Sequence, residues 1–275
     1  MIGSFLNVAI LRLPVMLHRQ WRTQCESLLE LQNTDPTLLG TRDPSLFNLA
    51  SPASRCPNCH HKIRCWENIP VLSYLFLKGA CRQCQSPISL RYPLIECLTA
   101  LISTVTLWHF GFNWTGYFAL ILSWILIVQS MIDYDHQILL DSLTLPLLWL
   151  GLLLSLSTHH TISPHDAIIG AVVGYLSLWS IYWLFKLITG KEGMGHGDFK
   201  LLAMLGAWLG WFALPAIILI SSITGAVLGL ILIALKRHKK EQPLPFGPFI
   251  AIAGWIVLLW GDKINQLYYG WIGFN

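Results

Sequence analysis

The stretch GMGHGDFKLLAMLGAWLGW, residues 193–211, runs from three alternate glycines, a histidine, an aspartate and a lysine into an almost unbroken apolar segment. A carboxylate placed at the start of so apolar a run is expensive unless it has a task, because ionisable groups at membrane depth are poorly solvated. The surrounding chain makes the membrane reading firm. Of its 275 residues 54% are hydrophobic and only 12% charged, about half the charge of an average soluble domain, and its mean hydropathy is +0.56. The bilayer is therefore the expected solvent, and the chain is read as an all-α polytopic membrane protein.

Apolar runs of about 20 residues are long enough to cross the hydrocarbon core. They occur near 93–111, 115–133, 139–157, 166–189, 198–212, 213–235 and 246–261, and a shorter run, 1–17, opens the chain. The short run carries Arg12 and Pro14, lacks a basic leading segment and a small-residue cleavage site, and reads as part of a first span rather than a signal peptide. The expectation is about seven to eight transmembrane helices in three regions: a partial first helix at 1–17, a polar loop domain at 18–92 and a multi-helix membrane core at 93–275.

Lysine and arginine counts orient the spans. Ten of the eighteen lie in or beside the 12–92 loop, and Lys186, Lys191, Lys200, Lys236, Arg237, Lys239 and Lys240 fall in alternate later connections, leaving only Lys263 outside the pattern. The basic side is expected to face the cytoplasm. The net charge of +4 is explained by this topology signal, with a weak attraction to anionic lipid, and calls for no nucleic-acid partner.

The polar loop contains CPNCHHKIRCWENIPVLSYLFLKGACRQC, residues 56–84, with two CxxC pairs, Cys56 and Cys59, Cys81 and Cys84, separated by 21 residues. Two such knuckles present four thiolates to one ion, the ligand set of structural zinc. Disulfides are disfavoured on a cytoplasmic loop, and a redox CxxC needs a strand-then-helix setting that is missing. A closed four-cysteine site is structural rather than catalytic. Cys25, Cys65 and Cys97 read as unpaired small residues, and His60 and His61 are not needed in a filled shell.

The remaining chemistry lies in carboxylates at the cytoplasmic ends of spans. QSMIDYDHQILLDSLTLP, residues 129–146, supplies Asp133, Asp135 and Asp141, and the GxGD stretch supplies Asp198. Asp141 precedes a helical pattern and reads as a cap, and Asp135 reads as solvated. Asp133 and Asp198 suggest more. Gly193, Gly195 and Gly197 permit close backbone approach, and two adjacent carboxyls can share one proton, one acting as base on water while the other polarises a scissile carbonyl. His136 and His196 read as solvated junction histidines. Glu96, just inside the first long apolar run, reads as a partner of Arg91 or as a receiver of the substrate's new ammonium group, and PLPFGP, residues 243–248, as a proline-rich helix start or a rigid loop lining the substrate groove. A cation-coupled transporter would also use intramembrane aspartates and glycine-broken helices, but no inverted repeat is visible and the cysteine loop would have no purpose. A non-catalytic assembly scaffold would tolerate loss of either aspartate.

Taken in order, GSFLNVAILRLP, CPNC…CRQC, SPISLRYPLIE, IDYDHQILLDSLTLPLLWLGL, the 174–211 segment ending in GMGHGDFKLLAMLGAWLGW, and PFGPFIAIAGW closely resemble the bifunctional type IV prepilin leader peptidase and N-methyltransferase family. The resemblance extends from near residue 3 almost to the end. It implies a GxGD aspartyl peptidase of the bacterial inner membrane that cuts the basic leader of type IV prepilins and type II secretion pseudopilins after a glycine, on the cytoplasmic side. It then methylates the new N-terminus with S-adenosylmethionine. By the same resemblance the catalytic aspartates fall on Asp133 and Asp198 and the metal-binding cysteines on Cys56, Cys59, Cys81 and Cys84. Gly79, in KGAC, matches a position tied to methyl transfer, although spacing alone reads it as a turn between the knuckles. Glu67, Asp135 and Glu192 are acidic groups on the side where the basic leader would arrive. The sequence departs from the family at ILLD, where Leu140 replaces the usual proline before Asp141.

Overall fold

The computed structural model describes residues 1–28, 47–64, 69, 71–157, 162–234 and 245–272. Cys65, Glu67, Lys236, Arg237, Lys239, Lys240 and the first two residues of PLPFGP lie outside the described residues. The chain divides into two units, Met1–Leu101 and Ile102–Asn275.

In the first unit, α1 (Ile2–Leu28) continues well past residue 17 and carries Pro14 within it. A short α2 (Leu72–Phe76) follows the first knuckle, and α3 (Arg91–Phe110) begins here and leads into the second unit. The second unit contains α4 (Trp114–His136), α5 (Asp141–Ser155), α6 (Pro164–Thr189), α7 (His196–Leu209), a 3-10 turn (Trp211–Ala213), α8 (Leu214–Ala234) and α9 (Gly247–Ile272), the last kinked at Trp260. No strand occurs among the described residues, only two isolated bridges.

Each of the seven long apolar runs folds as one of the helices α3 to α9. Among the described residues five of these, α3, α4, α6, α8 and α9, are long and apolar enough to cross a membrane. The other two, α5 with 15 residues and α7 with 14, rise about 21–23 Å, short of the roughly 30 Å hydrocarbon core.

The helix ends have local causes. Asn113 caps α4 by accepting the Gly116 N–H at 2.9 Å, and Ser163 caps α6 by accepting that of Asp166 at 3.1 Å, with Pro164 at the first helical position. Each supplies an acceptor to an otherwise free amide of the first turn. At the other end of α6, Gly190 adopts a left-handed conformation (φ 69°) and returns its N–H to the Lys186 carbonyl, a stop that a residue with a Cβ makes reluctantly.

Helix α7 is the centre of the second unit. Phe199, Leu201, Leu202, Met204, Leu205 and Ala207 are at most 1% exposed, so α7 is covered on nearly every face, as expected for a helix apolar all round. It meets α6 backbone to backbone. A Cβ at Gly170 would collide with the Gly206 carbonyl, a Cβ at Gly206 with that of Gly170, and one at Gly174 would lie 2.8 Å from the Leu202 carbonyl. Small residues allow such close approach where lipid supplies no hydrophobic drive between helices. Gly206→Ala is accordingly expected to destabilise the protein by about 1–3 kcal/mol or more, read as a lowered thermal midpoint in detergent. An unchanged midpoint would mean that stability does not depend on the α6–α7 backbone contact.

Candidate active site and metal centre

Asp133 and Asp198 come from opposite kinds of helix end. Asp133 lies one turn before the end of α4, where Gln137, in the left-handed region at φ 55°, sends its N–H back to the Asp133 carbonyl. Asp198 lies in the first turn of α7 behind the Gly195 cap. Both are only 6% exposed, and the two carboxyl groups are near enough to interact electrostatically.

The backbone around them is shaped by glycines. Gly247, at the start of α9, donates its N–H to Asp133 Oδ2 at 3.0 Å, and a Cβ there would lie 2.6 Å from that oxygen. Gly197 packs on Leu139, whose Cβ would be 2.8 Å from an added Cβ, and the Leu139 side chain also adjoins Gly247. Leu139 thus fills the space between the two glycines beside the aspartates. The contact from Gly247 was not legible in PLPFGP, which reads as a helix start or a rigid groove-lining loop; the structure puts Pro248 in the first turn of α9 and Gly247 against the carboxylate.

The α4–α5 connection is held by Gln129, which is fully buried. Its Oε1 accepts the Leu140 N–H at 3.0 Å, and its Nε2 donates to the Leu140 carbonyl at 3.0 Å and to Thr144 Oγ1 at 2.6 Å. The Leu140 N–H is a donor that a proline at this position would lack, so leucine here adds a bond to the connection before Asp141. Sequence reasoning missed Gln129, whose only signal is an amide side chain within an apolar run.

Several carboxylates differ from expectation. Asp141 does not cap α5; it is the first helical residue and pairs with Lys200 of α7 at 2.6 Å, because the α5 and α7 starts lie side by side. That pair is partly exposed, and Lys200→Met is expected to change stability by less than about 1 kcal/mol in a thermal melt. Glu96 accepts Ser4 Oγ at 2.6 Å and the Val71 N–H at 2.8 Å, since α1 and the chain before α2 reach its carboxylate. Glu192 pairs with Lys186 at 2.8 Å. Asp135 and His136 are exposed. His196 is also exposed, yet its ring rests against Tyr182 and Phe199, with centroids 5.1 and 5.4 Å away.

The four loop cysteines form a second, separate centre within the first unit. The knuckles are built alike. The Cys56 N–H bonds the His61 carbonyl and the His60 N–H the Cys56 carbonyl; the Cys81 N–H bonds the Ser86 carbonyl and the Gln85 N–H the Cys81 carbonyl. His60 and Gln85, four residues after the first cysteine of each pair, are both left-handed at φ 57° and 56°. The turns bring all four Sγ atoms within 4.8 Å of one another, with Cys56–Cys84 at 3.8 Å and Cys59–Cys81 at 3.9 Å. These separations match the roughly 3.8 Å between thiolates on a tetrahedral ion at Zn–S 2.3 Å and far exceed a disulfide's roughly 2.05 Å. The backbone N–H groups of Cys59 and Asn58 pull the Cys56 thiol down to about 6, while, against the His61 N–H, burial and the neighbouring thiols push Cys59 up to about 12, so the cluster keeps a proton that metal binding would release. Among the described cysteines, Cys25 and Cys97 are exposed and free. Gly79, between the knuckles, is left-handed at φ 71°, and a Cβ there would lie 2.8 Å from the Tyr74 hydroxyl.

A helical membrane protein with a GxGD turn, and a second buried aspartate beside it on another helix, has the makeup of an intramembrane peptidase. Comparison with known proteins names the family. Residues 1–110 match the bacterial peptidase A24 N-terminal domain and residues 120–230 the type IV leader peptidase family. The prepilin leader peptidase/N-methyltransferase of Stutzerimonas stutzeri is 55% identical over 98% of this chain and 90% of its own length. That of Pseudomonas aeruginosa is 53% identical over 100% and 92%, and that of Dichelobacter nodosus 50% over 98% and 91%. The chain belongs to the prepilin leader peptidase/N-methyltransferase family. No solved structure gives a significant match.

Proposed function

We propose that Asp133 and Asp198 are the catalytic pair with which this membrane enzyme removes the leader of type IV prepilins and type II secretion pseudopilins. The observation that carries the assignment is the burial of two interacting carboxyls, 65 residues apart in sequence, at adjoining helix ends. With one proton between them, the ionised aspartate takes a proton from water as that water attacks the scissile carbonyl. The protonated one hydrogen-bonds the carbonyl oxygen, and the tetrahedral intermediate collapses with return of a proton to the leaving amine. Leader removal from a purified prepilin by wild type and by the asparagine variant of each aspartate tests the assignment. The lysine and arginine distribution supports an inner-membrane orientation with both aspartates and the cysteine loop at the cytoplasmic side, where a basic leader would meet Asp135 and the other acidic groups of that face.

Gly247 positions Asp133. Gly247→Ala is expected to reduce leader cleavage by at least about tenfold, since a methyl group where the carboxylate now sits forces the pair apart, and angstrom-scale misplacement is enough for such losses. Full cleavage by this variant would show that the contact does not shape the reacting geometry.

The four thiolates hold one structural zinc ion, which fixes the two knuckles and takes no part in either reaction. The second activity is methylation of the new N-terminus, with S-adenosylmethionine supplying the methyl group. Gly79 serves it indirectly: its missing Cβ leaves the Tyr74 hydroxyl its place.

A further inference from the structure

Within the first unit lies a cavity of about 500 Å³, a size suited to a cofactor. Among the described residues Glu96 is the only acidic one in its wall; Tyr74, Tyr92, Asn7 and three arginines, Arg12 among them, also line it. The Glu96 carboxylate is deliberately held. Gly3 lets α1 come close, since a Cβ there would lie 2.9 Å from Glu96 Cα, and the next residue, Ser4, donates to Oε1 at 2.6 Å. Val71 reaches Oε2 with its N–H at 2.8 Å from a left-handed conformation, φ 59°. A β-branched residue pays for that conformation, and such strain persists where the surroundings impose it. A carboxylate has about four acceptor sites, so these two donors orient Glu96 and leave it able to receive a cation.

We propose that this cavity binds S-adenosylmethionine, with Glu96 facing its cationic methionine end and the tyrosine rings beside its sulfonium and adenine. This rests on the methyl-transfer reading of the chain. The ligand's chemistry matches the wall: a carboxylate for the ammonium, the Arg55 guanidinium for the carboxylate, and aromatic faces, which attract cations. In the transfer, the lone pair of the neutral N-terminal amine bonds the methyl carbon as the sulfur–methyl bond breaks. Its electron pair returns to sulfur, giving neutral S-adenosylhomocysteine and a secondary ammonium product.

The test uses the full chain in detergent. Binding of sinefungin, an unreactive analogue, is measured by calorimetry for wild type, Glu96→Gln and Tyr74→Leu, with prepilin cleavage by the same preparations as the control for folding. Labelled S-adenosylmethionine is also photo-cross-linked to wild type and the labelled peptides are mapped. The expected result is binding weakened at least about tenfold in both variants and cross-links within Met1–Leu101. Unchanged binding in both variants, or cross-links confined to Ile102–Asn275, overturns the cavity assignment while methyl transfer by wild type still stands. Failure of wild type to methylate a precleaved pilin overturns the methyl-transfer reading itself.

Discussion

Asp133→Asn and Asp198→Asn are each expected to lower prepilin cleavage by about a thousandfold or more, within the range that acid–base catalysis contributes, with expression, membrane insertion and metal content unchanged. Asparagine keeps the shape of the buried side chain and can still accept the Gly247 N–H through its amide oxygen, so the fold should survive while the exchangeable proton is lost. Under the proposed proton-sharing mechanism the double variant should be no slower than the worse single one; residues that act together are strongly non-additive. Cleavage is measured as leader removal from a purified prepilin in detergent or liposomes. Normal cleavage by either variant would remove that residue from the catalytic pair, and normal cleavage by both would favour a scaffold whose aspartates serve only packing.

The second large effect is expected at the thiolate cluster. Purified protein should carry one zinc ion per chain, and Cys81→Ser should reduce this nearly to zero by elemental analysis. With three thiolates the shell is open, and the knuckles lose the centre that joins them, because metal binding in small closed sites is itself folding free energy. Limited proteolysis should then cut between residues 56 and 84 in the variant and spare that stretch in wild type. Treatment with a strong chelator should reproduce the proteolysis pattern. Metal-free wild type that resists protease to the same degree would show that the four cysteines do not depend on an ion.

Much of this was open to inspection in the primary structure. CxxC spacing alone marks two knuckles because each pair needs only a local turn, and the equivalent left-handed residues His60 and Gln85 show how local that turn is. The seven apolar runs announced seven helices because burial of backbone polar groups in lipid leaves few alternatives. The two aspartates stood out as ionisable groups at the same-side ends of apolar runs, Asp198 beside glycines as well. Reading failed where a partner comes from far along the chain: Glu96 meets Ser4 and Val71, Asp141 meets Lys200, and Gln129 ties down Leu140.

The seven long apolar helices, the four cysteines that gather and the identity of the candidate carboxylates were thus determined by the sequence itself, through composition and short-range spacing that act before any tertiary contact forms. Only the tertiary structure decided that α7 is a short, enclosed central helix, that Gly170 and Gly206 bring two backbones together, and that Gly247 reaches Asp133 across 114 residues. Those outcomes depend on which helix faces pack. Hydropathy separates lipid-compatible residues from polar ones, but it carries no information about which apolar face meets which.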